Sequence, residues 1–261
     1  MATRRGFLRG LGLGAVGVAA LGGQSARAQA DLAGRDLYEL RRYHLRREHV
    51  AQFDAYLSEA LLPALKALGV GPIGVFAPTD DVDPYRQLVL THTSPETVGT
   101  AAALVANPTF AQAAAPYLDL PPATPLYERI DSSLLVAFAG FPRVQAPDLA
   151  RPRLFELRCY ESHNERSAAT KIRMFEEAEI AIFERTGLPP VFFGQSLIGN
   201  GLPNLTYLLA FDDQEARRRG WGTFIADAEW KELSARPEYA DSAIVSRITS
   251  WVLSPVAGSE L

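Results

Sequence analysis

One short motif of this sequence occurs twice and contains residue types that could do chemistry. Residues 39–43 are Glu-Leu-Arg-Arg-Tyr, and residues 156–160, 117 positions later, are Glu-Leu-Arg-Cys-Tyr. A carboxylate, a guanidinium and a phenol at this spacing could bind one anionic or carbonyl-bearing ligand, with the tyrosine as proton donor. The motif therefore predicts six ligand-binding residues, which are Glu39, Arg41, Tyr43, Glu156, Arg158 and Tyr160. Both tyrosines are also catalytic candidates.

Both copies lie in segments that alternate between apolar and polar residues. In the first segment Tyr38 and Leu40 alternate with Glu39, Arg41 and Tyr43, and a period of two predicts a β-strand with one face of each kind. We expect the polar faces to line a space between two sheets, where they would surround a ligand. The alternative is that each Glu–Arg pair only stabilises the sheets. Recurrence favours this alternative, because active sites in duplicated proteins usually decay in one copy.

Three further residues are candidates for the same site. Arg129 and Arg247 occupy equivalent points in the last predicted strand of each half, and they would add positive charge to the interior if they face inward. His92 ends a predicted strand and is the histidine best placed for acid–base catalysis; the alternative is a histidine of a loop or rim.

The sequence predicts neither a metal site nor a cofactor. Its four histidines lack the i, i+4 spacing of a helical metal site, and no cysteine cluster exists. The absence of a Gly-x-Ser-x-Gly motif argues against a serine hydrolase. Cys159, the single cysteine, lies on the apolar face of its strand, so we expect a buried and unreactive thiol.

The elements around the two motifs follow in the same order twice. Each motif strand precedes an amphipathic helical segment, two strands, a second helical region and a last strand, which is the ferredoxin-like β-α-β-β-α-β plan. Corresponding elements lie 117–120 residues apart, which indicates an internal duplication. We therefore predict a first domain over residues 36–141, a linker over 142–152 and a second domain over 153–255.

A half of this kind covers one face of its sheet with helices and leaves the other face bare. The other half of the same chain is the nearest element that can pack against that exposed face. The sequence therefore predicts an α+β fold in which two tandem ferredoxin-like halves pack sheet to sheet as an intramolecular α+β barrel. Because open sheet edges allow further pairing, both a monomer with an internal pseudo-dimer and a homodimer are consistent with the sequence.

Residues 1–30 resemble a twin-arginine export signal. Arg4 and Arg5 precede a Phe-Leu pair, and an uncharged apolar run over residues 11–23 follows. That run is shorter than the roughly 20 residues that a membrane span needs, so we expect a signal removed after Ala28 or Ala30 and no stable membrane anchor afterwards. The sequence therefore predicts an exported, periplasmic protein.

The charge of the chain argues against a nucleic-acid partner. Without residues 1–30 the chain has 22 basic and 30 acidic side chains. It contains no basic patch or arm that would bind phosphates. The partner that the sequence predicts is a small-molecule ligand.

The chain resembles the NIPSNAP family over residues 36–138 and 153–254. The resemblance is carried by the repeated strand motif, the helical segment after it and the aromatic motif Trp221-x-x-Phe224-x-x-Asp227-x-Glu229-Trp230. The first half departs from that aromatic pattern, because residues 107–110 are Asn-Pro-Thr-Phe. The resemblance implies domains of the dimeric α+β-barrel superfamily, including tandem copies, and it implies no particular reaction.

These observations leave the activity open between three hypotheses. The first is an exported NIPSNAP-like protein with a small-molecule-binding or catalytic cavity between its two sheets. The alternative is a non-catalytic protein-interaction module. A third hypothesis, a haem- or metal-dependent oxidoreductase, is suggested only by the export route.

Overall fold

The computed structural model describes residues 34–80, 84–151 and 153–261. Residues 34–261 form one compact unit. The predicted export signal over residues 1–30 lies outside the described residues. Within the described ranges, no helix combines the length and the apolar character needed to cross a membrane.

Eight strands in these ranges form one closed antiparallel barrel. The strands are β1 Leu37–His44, β2 Ile73–Pro78, β3 Tyr85–His92, β4 Arg129–Ala137, β5 Leu154–Glu161, β6 Pro190–Ile198, β7 Asn204–Phe211 and β8 Arg247–Pro255. Their order around the barrel is β1-β3-β2-β8-β5-β7-β6-β4, and β4 closes the barrel by pairing with β1. The predicted α+β fold is therefore confirmed.

Helical segments follow the strands in the same pattern in both halves. In the first half they are the 3-10 turns Arg47–His49 and Leu104–Ala106, the π-helical turn Leu57–Leu61, and the helices α1 Val50–Tyr56, α2 Leu62–Ala67, α3 Pro95–Ala102 and α4 Pro108–Leu118. In the second half they are the π-helical turn Phe175–Glu179, the 3-10 turn Pro237–Tyr239, and the helices α5 Glu165–Met174, α6 Ile180–Thr186, α7 Gln214–Ala226, α8 Ala228–Ser234 and α9 Asp241–Ile244.

The two halves join along their edges as well as across the barrel. Each half contributes four neighbouring strands, in the order β4-β1-β3-β2 and β6-β7-β5-β8. The β2–β8 pairing joins the halves at one seam, and the β4–β6 pairing joins them at the other. The sheet edges that the sequence left open are thus paired within the chain, because closure satisfies the edge hydrogen bonds that two stacked sheets would leave exposed.

The apolar faces of the motif strands fill the barrel. Tyr38, Leu40, Phe155 and Leu157 belong to one buried cluster that contains residues of both halves. The opposite faces point outward, where Tyr43 packs against helical residues of the first half and Tyr160 against those of the second. An eight-stranded barrel has an interior just wide enough for side chains to fill, so bulky apolar residues occupy it.

This placement corrects one prediction. We expected Glu39, Arg41 and Tyr43, and their counterparts in β5, to line the space between the sheets. They lie instead between each sheet and its own helices, as the contacts of Glu156 with Arg217 and Trp221 of α7 show. The expectation was wrong because alternation shows which residues share a face, but it does not show which face turns inward.

A close backbone contact fixes α7 against the end of α6. A Cβ atom added at Gly220 would lie 2.3 Å from the carbonyl oxygen of Gly187, a residue with a φ of +82° that ends α6. Gly222, on the same helix, has no atom within 4 Å of the corresponding position. The two glycines therefore form a matched pair.

We expect Gly220→Ala to destabilise the protein by about 1–3 kcal/mol, because the backbone at Gly187 must move to admit the methyl group. Gly222→Ala should instead stabilise it by up to about 1 kcal/mol, since alanine favours the helix and meets no obstacle. Urea denaturation of both variants measures the difference. Equal stability of the two variants would contradict the close packing of α7.

Candidate functional site

The polar residues of β1 are bonded to one another beneath the helices. The Arg41 guanidinium donates from Nε to Glu39 Oε1 at 2.6 Å and from Nη2 to Glu39 Oε2 at 3.0 Å. His92 is fully buried, with Nε2 lying 3.3 Å from Glu39 Oε2 and Nδ1 3.2 Å from Thr97 Oγ1. Burial alone would raise the pKa of Glu39, but the bonds to His92 and Arg41 hold it below its ordinary value.

The equivalent carboxylate in β5 is bonded even more completely. Glu156 is fully buried, and Arg217 donates to it from Nε at 2.8 Å and from Nη2 at 2.9 Å. Arg158 Nη1, Trp221 Nε1 and Ser250 Oγ donate at 2.8, 2.7 and 2.7 Å. Burial opposes ionisation, yet these hydrogen bonds outweigh it and lower the pKa of Glu156 to about 2. The carboxylate is therefore ionised at neutral pH, and it stabilises the contact between sheet and helix.

The two tyrosines of the motif are also held in place. Tyr43 packs against Phe53 with ring centroids 4.9 Å apart. The Tyr160 hydroxyl receives a hydrogen bond from Arg158 Nη2 at 3.1 Å and one from the Tyr207 hydroxyl at 3.2 Å. The contacts therefore favour the structural alternative for the motif. Ligand binding or catalysis by these residues and by His92 stays a prediction.

The two remaining candidates lie at one end of the barrel. Arg129 and Arg247 start β4 and β8, at register positions that turn toward the barrel mouth. Both are exposed, and each has an acidic partner: Arg129 Nε lies 3.5 Å from Asp131 Oδ1, and Arg247 Nη1 lies 3.8 Å from Glu161 Oε1. The structure thus separates these two arginines from the motif residues.

Two cavities open at this end. The first, which we call the mouth cavity, has a volume of about 390 Å³ and lies where the inward face of the strands changes from apolar to polar. Leu40 and Leu157 line it on the apolar side, and its polar lining includes Gln87, Ser133, Asn204, Thr206 and Thr249. The second, the rim cavity, has a volume of about 890 Å³. Arg42 and Trp251 line both cavities.

Arg42 contacts two aromatic rings. Its guanidinium carbon lies 4.5 Å from the centroid of the Tyr85 ring and 4.4 Å from that of Trp251. Its Nε donates to Gln87 Oε1 at 3.1 Å. Because Tyr85 belongs to the first half and Trp251 to the second, the closed barrel assembles this contact.

A histidine and a carboxylate form a second polar contact at the mouth. His44 Nε2 lies 2.7 Å from Asp131 Oδ2, across the β1–β4 pairing. The hydrogen bond with His44 lowers the pKa of Asp131. His44 lines the rim cavity and Asp131 the mouth cavity. A histidine positioned by a carboxylate would therefore lie beside a molecule bound in either cavity.

Sequence reasoning did not select Arg42, His44 or Trp251 as site residues, although His44, at the end of the first predicted strand, was expected at the rim of the barrel. The recurrence of the motif drew attention to the residues that repeat, whereas the mouth contains residues that do not: Arg42 and His44 of β1 correspond to Cys159 and Glu161 of β5. One signal was present, because Arg42 interrupts the apolar face that Tyr38 and Leu40 begin.

Cys159 lines the mouth cavity and is partly buried. Burial raises the pKa of its thiol.

In the described ranges, no group of three or more His, Cys, Asp or Glu side chains is arranged to hold a metal ion.

Comparisons place this architecture among α+β barrel proteins. A structure from Fusobacterium nucleatum, described as a "putative monooxygenase", matches with a TM-score of 0.56 and 8% identity, over 85% of this chain and 92% of its own. One from Lactobacillus acidophilus with the same description matches with a TM-score of 0.57 and 9% identity, over 85% and 94%. At these identities the likeness concerns the fold alone.

Residues 155–260 match the NIPSNAP family model, so this part of the chain carries a NIPSNAP domain. An uncharacterised NIPSNAP-like domain protein from Burkholderia xenovorans is 23% identical over 40% of this chain and 86% of its own, with a TM-score of 0.36. A search of curated proteins found no significant match. The predicted resemblance to NIPSNAP proteins is thereby confirmed for the second half.

The environment of Glu156 predicts an acid-dependent loss of stability. Its pKa is about 2 in the folded protein against an ordinary value of 4.5. The ionised carboxylate therefore stabilises the fold fully above pH 4.5, and this stabilisation, about 3 kcal/mol, is lost as the pH falls from 4.5 toward 2. Glu156→Gln should be less stable at pH 7 and should lose less stability between pH 5 and pH 3, as measured by urea denaturation.

Glu215→Gln is the control for this measurement, because the Glu215 side chain is 66% exposed and forms an ion pair with Arg219 one helical turn away. We expect its stability to follow the same pH dependence as the wild type. If Glu156→Gln also keeps the wild-type slope, another group is responsible for the acid response.

Proposed function

We propose that this chain is an exported, tandem NIPSNAP-like protein that binds a small molecule in its barrel mouth, between the two four-stranded sheets. The observation that carries the proposal is the mouth cavity, about 390 Å³ in volume, with side chains of both halves in its lining. Ligand sites commonly occupy cavities of about 300–1,000 Å³ that combine apolar walls with a few polar groups. The mouths of β-barrels are a frequent place for them.

The sequence difference between the two halves also supports the barrel mouth as the ligand site. In the proposed duplication, residues that the fold requires recur in both copies, as the Glu-x-Arg-x-Tyr faces do. Residues that face the mouth differ, since Arg42 stands opposite to Cys159 in the alignment of the two strands. The duplication alone does not account for the unrepeated residues at the mouth, which supports a ligand site there.

The proposal names binding and no reaction. The Fusobacterium and Lactobacillus structures are each described as a "putative monooxygenase", and at 8% and 9% identity with this chain they support only the fold. The His44–Asp131 contact would supply a proton-transfer group beside the ligand if a reaction occurs there.

Native mass spectrometry of protein purified from its own host tests ligand binding. We expect a small-molecule adduct on the wild-type protein and its loss in Thr249→Trp, because the larger side chain fills the mouth cavity. Thr223→Trp is the matched control, since Thr223 is exposed on α7 and outside this cavity. An adduct retained by Thr249→Trp would place the ligand elsewhere, and an adduct on none of the proteins would argue against the proposal.

The alternative, a non-catalytic interaction module, is favoured by a different observation. A groove of about 390 Å³ on the helical layer of the first half is lined mainly by apolar residues, including Ala60, Pro63, Leu104 and Phe110. The same mass spectra separate the two functions, because a partner protein adds a polypeptide mass to the adduct. Ala64→Glu in this groove should remove that mass and leave a small-molecule adduct unchanged.

We further propose that residues 1–30 direct export to the periplasm by the twin-arginine route. Replacing Arg4 and Arg5 together with lysine should leave the full-length precursor in the cytoplasm, because the paired arginines are the feature that this route recognises. Arg9→Lys, outside the pair, is the control and should be exported normally. Cell fractionation measures the location, and the mass of the exported N-terminus distinguishes cleavage after Ala28 from cleavage after Ala30. Export of the double variant would contradict the proposed route.

A further inference from the structure

We propose that the ligand of the mouth cavity is a small monoanionic carboxylate with an apolar body, and that Arg42 is the residue that selects it. This inference rests on the proposed function and adds the chemical class of the ligand. It follows from the charge, the contacts and the position of a single side chain.

Arg42 is the partly buried cation at the mouth that forms no salt bridge among the described residues, although the carboxylate of its cross-strand neighbour Asp131 acts on it electrostatically. The other arginines around it do have one: Arg46 lies 3.3 Å from Glu128, Arg129 3.5 Å from Asp131, and Arg247 3.8 Å from Glu161. Arg42 contacts the rings of Tyr85 and Trp251 and the amide oxygen of Gln87, all of which are uncharged.

A buried charge without a counter-ion is unfavourable, because the protein replaces its hydration only in part. Burial accordingly lowers the pKa of Arg42. An anion that entered the cavity would restore the missing interaction. Asp131 and Glu161 also line the mouth cavity, but they lie beside Arg129 and Arg247, so Arg42 is the cation that remains for an anionic ligand.

The contacts of Arg42 leave the Nη1 and Nη2 groups of its guanidinium able to bind an anion. The guanidinium carbon lies over both rings, and Gln87 Oε1 accepts a hydrogen bond from Nε. Within the described ranges no residue accepts a hydrogen bond from Nη1 or Nη2. Two parallel N–H groups at a guanidinium edge match the two oxygens of a carboxylate. The rings hold that edge in place before the ligand arrives.

The surroundings distinguish a carboxylate from a phosphate. Leu40 and Leu157 form the apolar side of the mouth cavity and continue into the barrel core. An apolar body fits against them while its charged group reaches Arg42. A single unpaired cation matches a single negative charge, whereas a phosphate monoester carries close to two at neutral pH and would leave one uncompensated.

A series of four probes of similar shape tests the class of ligand: benzoate, benzamide, benzamidine and phenyl phosphate. Titration calorimetry at low salt measures binding to the wild-type protein freed of any adduct. We expect benzoate to bind at least tenfold more tightly than neutral benzamide, and benzamidine, a cation, to bind more weakly than either. Phenyl phosphate should bind less tightly than benzoate.

Variants then assign the selection to Arg42. Arg42→Met should weaken benzoate binding at least tenfold, to the level of benzamide, and leave benzamide binding unchanged. Arg42→Lys should recover part of the affinity, since lysine keeps the charge without the planar edge. Arg219→Met is the matched control: this arginine of α7 is 64% exposed, is paired with Glu215 and lies outside the lining of the mouth cavity, so benzoate binding should change less than threefold.

Each other outcome overturns a defined part of the inference. Equal binding of benzoate and benzamide would contradict the preference for a carboxylate. Tighter binding of phenyl phosphate than of benzoate would indicate a phosphate ligand instead. Unchanged benzoate affinity of Arg42→Met would contradict the role of Arg42. If Arg42→Met does not fold, the wild-type series still decides the class. Binding of none of the four probes would overturn the inference, while an adduct lost in Thr249→Trp would leave the proposed function standing.

Discussion

The closure of eight strands into one barrel is the constraint on which the other features of this protein depend. A barrel of this size has no room for water along its length, so its interior has to be filled by side chains that interlock. The apolar faces of β1 and β5 meet this requirement: the ring centroids of Tyr38 and Phe192 lie 4.5 Å apart, and those of Phe76 and Phe155 lie 4.7 Å apart. Since alternate residues of a strand point to opposite faces, filling the interior in this way turns outward the glutamates and arginines that recur in both motifs.

The outward charges then need partners in the layer between sheet and helix. Glu156 obtains its partners from α7 and β8, whereas Glu39 is bonded by Arg41 and His92. The second half contains a further buried pair, in which Lys171 Nζ lies 3.0 Å from Glu179 Oε2 at the π-helical turn. At the corresponding turn of the first half, the buried residues Phe53 and Leu61 occupy the equivalent positions. The two halves therefore satisfy the same architecture with different proportions of charge and apolar contact.

The filled interior also explains why the cavities lie at one end. Along β1 the inward residues are Tyr38, Leu40, Arg42 and His44, so the strand changes from apolar to charged as it reaches the mouth. Polar side chains at that end keep contact with water and leave space between them, which the interlocking aromatic residues below do not. The seam between the halves brings Trp251 over Arg42, and a mouth built from both halves can be asymmetric even though the strands around it are arranged alike.

The sequence by itself determined the strands, their order in each half and the residues that share a face, because these follow from local periodicity and from the recurrence of elements at a nearly constant spacing. It also identified the repeated polar residues, which are the ones that the scaffold requires. Only the tertiary structure decided which face of β1 turns inward, because that choice depends on whether the sister sheet or the helices cover it. Only the tertiary structure showed that Arg42 contacts Tyr85 and Trp251, because residues this far apart in the chain become neighbours only when the barrel closes.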